Sequence, residues 1–375
     1  MRKYLSILMV LGLVLLCIGC INKEIKGQIE EFVEKQEVYV NEKSLDGYID
    51  TISKEEPEYV AEKKSWMRDI LENNIEKYDL EVEKIKILDD DKVSLKLRQS
   101  YQYEGKKYSI QIPLLLVKEN GCWKDHDLLF DEMVTPHFRI KYHKNLKKYA
   151  VAIKNVCENA YSNVQKRYGE GIEGKTIIKL YENQELLRQS VKLSFSWQFA
   201  GWYEYPESIK TTEFEDEETY RKILEHELIH KITIKKSNNN MPYWFSEGVA
   251  VYFANFPNQP KDFQTKEYYL NTYRDYEIDI LKLEKANLEK MEEDKSIHCY
   301  YDSSGMVIKF IVEKYGVEKV KKIVEELGRF PYEEGTGSEI NEQSIKRYHL
   351  VLEKVLGVCV EELNKEWIQF INEAE

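Results

Sequence analysis

Two histidines four positions apart narrow the fold of this chain more than any other feature: His226 and His230, in the run His226-Glu227-Leu228-Ile229-His230. On a helix, such positions lie about 40° apart around the axis and roughly 6 Å apart along it, so both imidazoles leave one face and can share a metal ion. Ile223, Leu224, Leu228 and Ile232 give the same segment an apolar side, which predicts a helix packed against a core. Zn²⁺ in hydrolytic sites takes three protein ligands and keeps a fourth position open. A carboxylate on a second helix can complete such a tripod. Glu247, in Trp244-Phe245-Ser246-Glu247-Gly248, is the candidate, and Met241-Pro242 reads as the loop that feeds its helix. Glu227 follows the first histidine and is turned about 100° from it, which suits a general base acting on water better than a ligand.

The pentapeptide, then sixteen residues, then a glutamate set in Pro-Tyr-Trp-Phe-Ser-Glu-Gly-Val-Ala-Val-Tyr-Phe, resembles the gluzincin metallopeptidases and within them the peptidase MA-like branch. The resemblance implies a zinc site of His226, His230 and Glu247, with Glu227 as general base and a peptide or protein as substrate. One departure stands at Val251, four residues past Glu247, where many thermolysin-like enzymes carry an aspartate that buttresses a histidine. The partners of the histidines are therefore unassigned at this stage. Hydrolysis of this kind also needs a donor for the developing oxyanion. Tyr301 and His298 are the candidate side chains, in a segment from Tyr300 to Gly316 that resembles the family helix following the third ligand. The competing reading is a non-catalytic lipoprotein that binds a ligand or protein through a degenerate peptidase-like scaffold.

The chain begins Met-Arg-Lys-Tyr and continues with an almost wholly apolar run from Leu5 to Ile18, ending in Gly19-Cys20. A basic start, an apolar stretch of this length and a small residue before the break are the pattern of a secretion signal. Gly19-Cys20 resembles a bacterial lipobox, which implies an acylated Cys20 and an exported protein anchored on the extracytoplasmic face of a membrane. An uncleaved N-terminal anchor is the alternative, and it leaves the body of the protein on the same side. Loss of residues 1 to 19 removes Arg2 and Lys3, so the formal charge moves from −12 to −14. So acidic a chain, with no concentrated basic patch, argues against nucleic acid as a partner. Cys122, Cys157, Cys299 and Cys359 remain, without the close spacing of a zinc ribbon, and their pairing stays open.

A remaining length of about 356 residues suggests two units. The expected fold class is α+β. Residues 21 to 132 read as helices over 24 to 38 and 58 to 77, then strands around Val93 to Leu97 and Tyr108 to Ile112, with Glu104-Gly105 and Asn120-Gly121 as hairpin turns. Helices before a curved antiparallel sheet resemble the NTF2-like accessory domains of exported proteins, with a ligand or partner for this domain left open. Residues 136 to 375 form the peptidase-like domain. It reads as a small mixed sheet with strands at Phe138 to Tyr142 and Lys175 to Tyr181, and a helix from Tyr149 to Val164 that stops near Gly169. The active-site helix follows, then a lid region from Tyr252 to Asp294 and a helical C-terminal lobe. The resemblance implies an edge strand within Phe199 to Thr212 that pairs with substrate backbone, with Gly201 allowing close approach.

Overall fold

The computed structural model describes residues 23–206, 208–276, 279–335 and 339–373. The signal segment and Cys20 lie outside them. The fold class is α+β, and the chain divides into two compact units, Met1–Phe130 with Lys192–Ser194, and Asp131–Val191 with Phe195–Glu375. No helix among the described residues is long and apolar enough to cross a membrane.

The first unit places helices α1 (23–41), α2 (Leu45–Asp50) and α3 (Pro57–Glu72) before a four-stranded antiparallel meander. Its strands are β1 (Glu76–Asp89), β2 (Lys92–Tyr103), β3 (Lys106–Glu119) and β4 (Cys122–Leu128). Strand β2 alternates buried and outward positions, which seats Val93, Leu95 and Leu97 against Ile29, Phe32 and Val33 of α1. Two-residue turns at Glu104-Gly105 and Asn120-Gly121 have positive φ at both positions, the geometry that matches the twist of a hairpin. Helix α3 ends at Glu72, short of the expected 77, and residues 76–89 form a long strand instead. That strand is charged along most of its length and buries only Tyr78, so neither periodicity stands out.

The second unit is built on a five-stranded sheet in the order β5-β6-β7-β9-β8. Its strands are β5 (Asp131–Val134), β6 (Phe138–Tyr142), β7 (Thr176–Leu180), β8 (Gly201–Glu204) and β9 (Ser208–Thr211). The three inner strands are parallel, and both edges run antiparallel to their neighbours. Residues 131–134, read from sequence as the end of the first domain and a linker, are thus an edge strand of the second unit. Ile140, Ile178 and Ile209 stand in register across the inner strands and are fully buried. Against the sheet pack α4 (Lys147–Tyr168), closed by Gly169 in the left-handed region, and α6 (Glu217–Ser237); α5 (Gln184–Val191) lies between β7 and β8 in the chain. Helix α6 starts where Asp216 caps the Thr219 amide, carries Glu217 and Glu218 in its first turn and Lys235 and Lys236 in its last, and ends at Asn238. Each of these matches the dipole and the unpaired amides of a helix terminus.

Helix α7 (Tyr243–Ala250) runs directly into a π-helical turn at Val251–Asn255. Short helices α8 (Lys266–Thr272) and α9 (Ile280–Lys285) follow, then α10 (Asp294–Tyr315), α11 (Val317–Leu327), α12 (Asn341–Leu356) and α13 (Val360–Asn372). The connection from α6 to α7 is fixed by three asparagines. Asn238 donates to Gly328 O and Phe330 O, Asn239 to Glu333 O and Gly335 O, and Asn240 to Pro331 O. Asn238 and Asn239 both hold φ near +50° to +58°, which asparagine tolerates better than other side chains.

Candidate metal centre

Helices α6 and α7 bring His226, His230 and Glu247 together. The two Nε2 atoms are 3.1 Å apart, and Glu247 Oε2 lies 3.2 Å from His226 Nε2 and 3.4 Å from His230 Nε2. Ligands placed at about 2.0–2.1 Å around tetrahedral Zn²⁺ are separated by about 3.3 Å, so these three atoms already mark one face of such a tetrahedron. The other ring nitrogens are engaged elsewhere. His226 Nδ1 is 3.0 Å from Asn255 Oδ1, and His230 Nδ1 is 3.2 Å from Ser246 Oγ. With both Nδ1 atoms turned outward to these oxygens, the two Nε2 atoms and the carboxylate converge on one point, an arrangement that positive charge at its centre, a proton or a metal ion, would stabilise.

Burial opposes a charged imidazole, yet the Glu247 hydrogen bond and the nearby Glu227 and Glu247 carboxylates outweigh it and take His226 up to about 9. Burial likewise opposes the Glu247 carboxylate, and the two histidines overcome it, bringing Glu247 down to about 2. Burial raises the pKa of Glu227, against the pull of His226 and His230, and the Tyr203 amide donates to its carboxylate. Glu227 thus lies beside His226, His230 and Glu247, outside the three converging atoms.

The supporting residues were not read from the sequence. Asn255 stands eight positions past Glu247, and the π-helical turn explains its reach. Two turns of regular helix take about 7.2 residues, and one inserted residue makes about 8.2, so Asn255 returns under Glu247 where Ala254 would otherwise fall. The segment beyond that turn is tied down by Glu225, whose fully buried carboxylate meets Arg167 at 2.6 Å, Arg221 at 2.5 Å and Asn258 Nδ2 at 2.5 Å.

A cleft opens in front of His226, His230 and Glu247, about 840 Å³ when the open solvent at its mouth is counted. Its lining includes Gly201, Trp202 and Tyr203 of β8, Glu227, and Tyr243 and Tyr301. A Cβ on Gly201 would sit 2.8 Å from Glu227 Oε1 and 2.6 Å from Ile223 Cγ2, so the edge strand passes Glu227 so closely that any larger residue would displace its carboxylate. The Tyr301 ring is 6.2 Å from the His226 ring. Burial, then the Glu247 and Glu227 charges, hold its phenol well above the usual range, so it is a neutral donor at neutral pH. His298 is different: it is exposed, its Nδ1 sits 2.7 Å from Asp294 O on its own helix, and it is not among the residues lining the cleft. The expectation that either could serve the oxyanion therefore narrows to Tyr301.

No family model matches the sequence, and no curated protein matches it. Among solved structures the chain is similar to native yeast LTA4 hydrolase, with 12% identity and a TM-score of 0.37 over 76% of this chain and 44% of that one. It is also similar to a mutant two-domain M1 zinc metallopeptidase bound to L-arginine, with 9% identity and a TM-score of 0.34 over 80% of this chain and 62% of that one. The chain thus spans less than two thirds of the length of either.

Proposed function

We propose that this chain is a zinc-dependent peptidase of the gluzincin type, in which His226, His230 and Glu247 hold the metal and Glu227 is the general base. The observation that carries the proposal is the 3.1–3.4 Å spacing of three ligand-type atoms that converge on one point. Zn²⁺, when bound, would polarise a substrate carbonyl and bring the pKa of a water to about 7. Glu227 takes a proton from the attacking water and returns it to the leaving amine; its raised pKa makes it a stronger base than an exposed carboxylate. Tyr301 donates to the oxygen on which negative charge develops. Strand β8, last in its sheet, offers backbone groups to an extended peptide.

The proposal includes export and a lipid anchor at Cys20, on the strength of the N-terminal sequence pattern, and an NTF2-like role for the first unit, whose helices precede an antiparallel sheet. Kinetics of two variants test the chemistry. Glu227→Gln should keep zinc and fold while turnover of a cleaved peptide falls by about two to four orders of magnitude. Tyr301→Phe should lower kcat by about 10²-fold with little change in KM, since its hydrogen bond strengthens mainly in the transition state. Full activity in Glu227→Gln would remove the base, and kinetics equal to the parent in Tyr301→Phe would remove the donor.

A further inference from the structure

We propose that the aromatic wall formed by Phe195, Trp197, Phe199 and Trp202 is the subsite for a large apolar side chain, and that the cleft takes an internal stretch of peptide rather than a chain end. This inference rests on the peptidase reading for its substrate class.

The four rings form one packed group that lines the cleft beside the three ligands. Phe195 lies 4.9 Å from Phe199 and 5.3 Å from Trp197, and Phe199 lies 5.5 Å from Trp202, centroid to centroid. Both indole N–H groups are already used: Trp197 donates to Leu288 O at 2.9 Å and Trp202 to Glu204 Oε2 at 3.1 Å. What the wall presents to a ligand is therefore carbon, held rigid by its own packing and by anchored indole edges. Ile234, Met241 and Ile340 line the same cleft with further apolar surface.

Charge decides between an internal segment and a terminus. Among the described residues lining the cleft there is no lysine or arginine, so a terminal carboxylate has no cation to meet. The acids among them are Glu227 and Glu247, one committed as base and one as ligand, which leaves none for a terminal ammonium. Moving an unpaired charge into such a lining is costly, whereas an internal peptide brings only amides, which an edge strand can satisfy. Trp202 belongs to β8 itself, so a chain paired along that edge would run beside the wall.

The test is equilibrium binding to the full zinc-loaded chain carrying Glu227→Gln, using short peptides blocked at both ends that differ only in one central residue. The phenylalanine peptide should bind at least about tenfold more tightly than its alanine counterpart, the size expected from burying most of an aromatic side chain. Trp197→Ala and Trp202→Ala should each cut that ratio to about threefold or less without altering zinc content, and Trp202→Phe should largely restore it. A phenylalanine-to-alanine ratio near one overturns the subsite, as does tighter binding of peptides with a free end. The two readings fail separately. Apolar preference in a chain whose parent form hydrolyses nothing overturns the peptidase alone, and hydrolysis without preference overturns the subsite alone.

Discussion

His226 and His230 each face two ways, and the second face decides what the first can do. An imidazole that donates from Nδ1 presents a lone pair at Nε2, so the acceptors at Asn255 Oδ1 and Ser246 Oγ choose the tautomer that binds a metal. Asn255→Ala frees that choice for His226. We expect zinc affinity to fall by about 10- to 100-fold, measured by competition with a chelator, with the fold unchanged, and Asn255→Asp to recover most of it. Affinity equal to the parent would show that His226 is oriented by packing alone. The pairing of His226 with His230 was legible in the sequence because helical spacing puts 226 and 230 on one face whatever surrounds them. Asn255 was not legible: its distance from Glu247 has meaning only once a residue is inserted into the helix, and nothing in Val251-Tyr252-Phe253-Ala254-Asn255 announces a π-helical turn. His298 and Tyr301 were inseparable by residue type, and it is their placement on α10 that separates them, one toward solvent and one toward the cleft.

Close approach between elements accounts for the glycines around the centre. A Cβ on Gly248 would stand 2.5 Å from Ser304 O, and one on Gly305 would stand 2.4 Å from Val251 Cγ1, so α7 and the π-helical turn that follows it cross α10 with almost nothing between them. Gly201 serves the same purpose between β8 and α6. Adding a methyl there would drive the Glu227 carboxylate aside, and a displacement of about 1 Å in a reacting group can cost about 10²-fold in rate. Gly201→Ala is accordingly expected to lose about that factor in kcat while zinc content holds; a variant with unimpaired turnover would mean that the base adjusts freely. The edge strand expected within Phe199 to Thr212 came from the family resemblance, and the hairpins of the first unit from Asn-Gly and Glu-Gly turns, because those turn signals are local. Strand β1 escaped because its side chains are charged and solvated along most of its length, leaving no apolar face whose period could be read. The clamp of Asn238, Asn239 and Asn240 on residues 328–335 escaped for another reason: its partners lie about ninety positions away in the chain.

In the molecule taken entire, the acidic balance, the N-terminal pattern and the converging His226, His230 and Glu247 fit the proposal of an exported peptidase tethered by lipid at Cys20. Mass spectrometry of the native N-terminus should find a diacylated cysteine, and an intact Met1 would refute the tether while leaving the metal centre untouched. Zinc binding at His226, His230 and Glu247 is coupled to the protonation of His226. In the metal-free chain the buried His226 imidazole holds its proton up to about 9, because the Glu247 bond and the neighbouring carboxylates outweigh burial. That proton occupies the nitrogen a metal would need, so zinc binding must release it, and affinity should rise by about tenfold per pH unit until about 9 and then level off. Calorimetric titration of the metal-free chain with zinc, in two buffers of different ionisation enthalpy at neutral pH, reads stoichiometry and proton release together. One zinc per chain with about one proton released, and both lost in His230→Ala, is the predicted result; no stoichiometric zinc, or binding unchanged in His230→Ala, would contradict it.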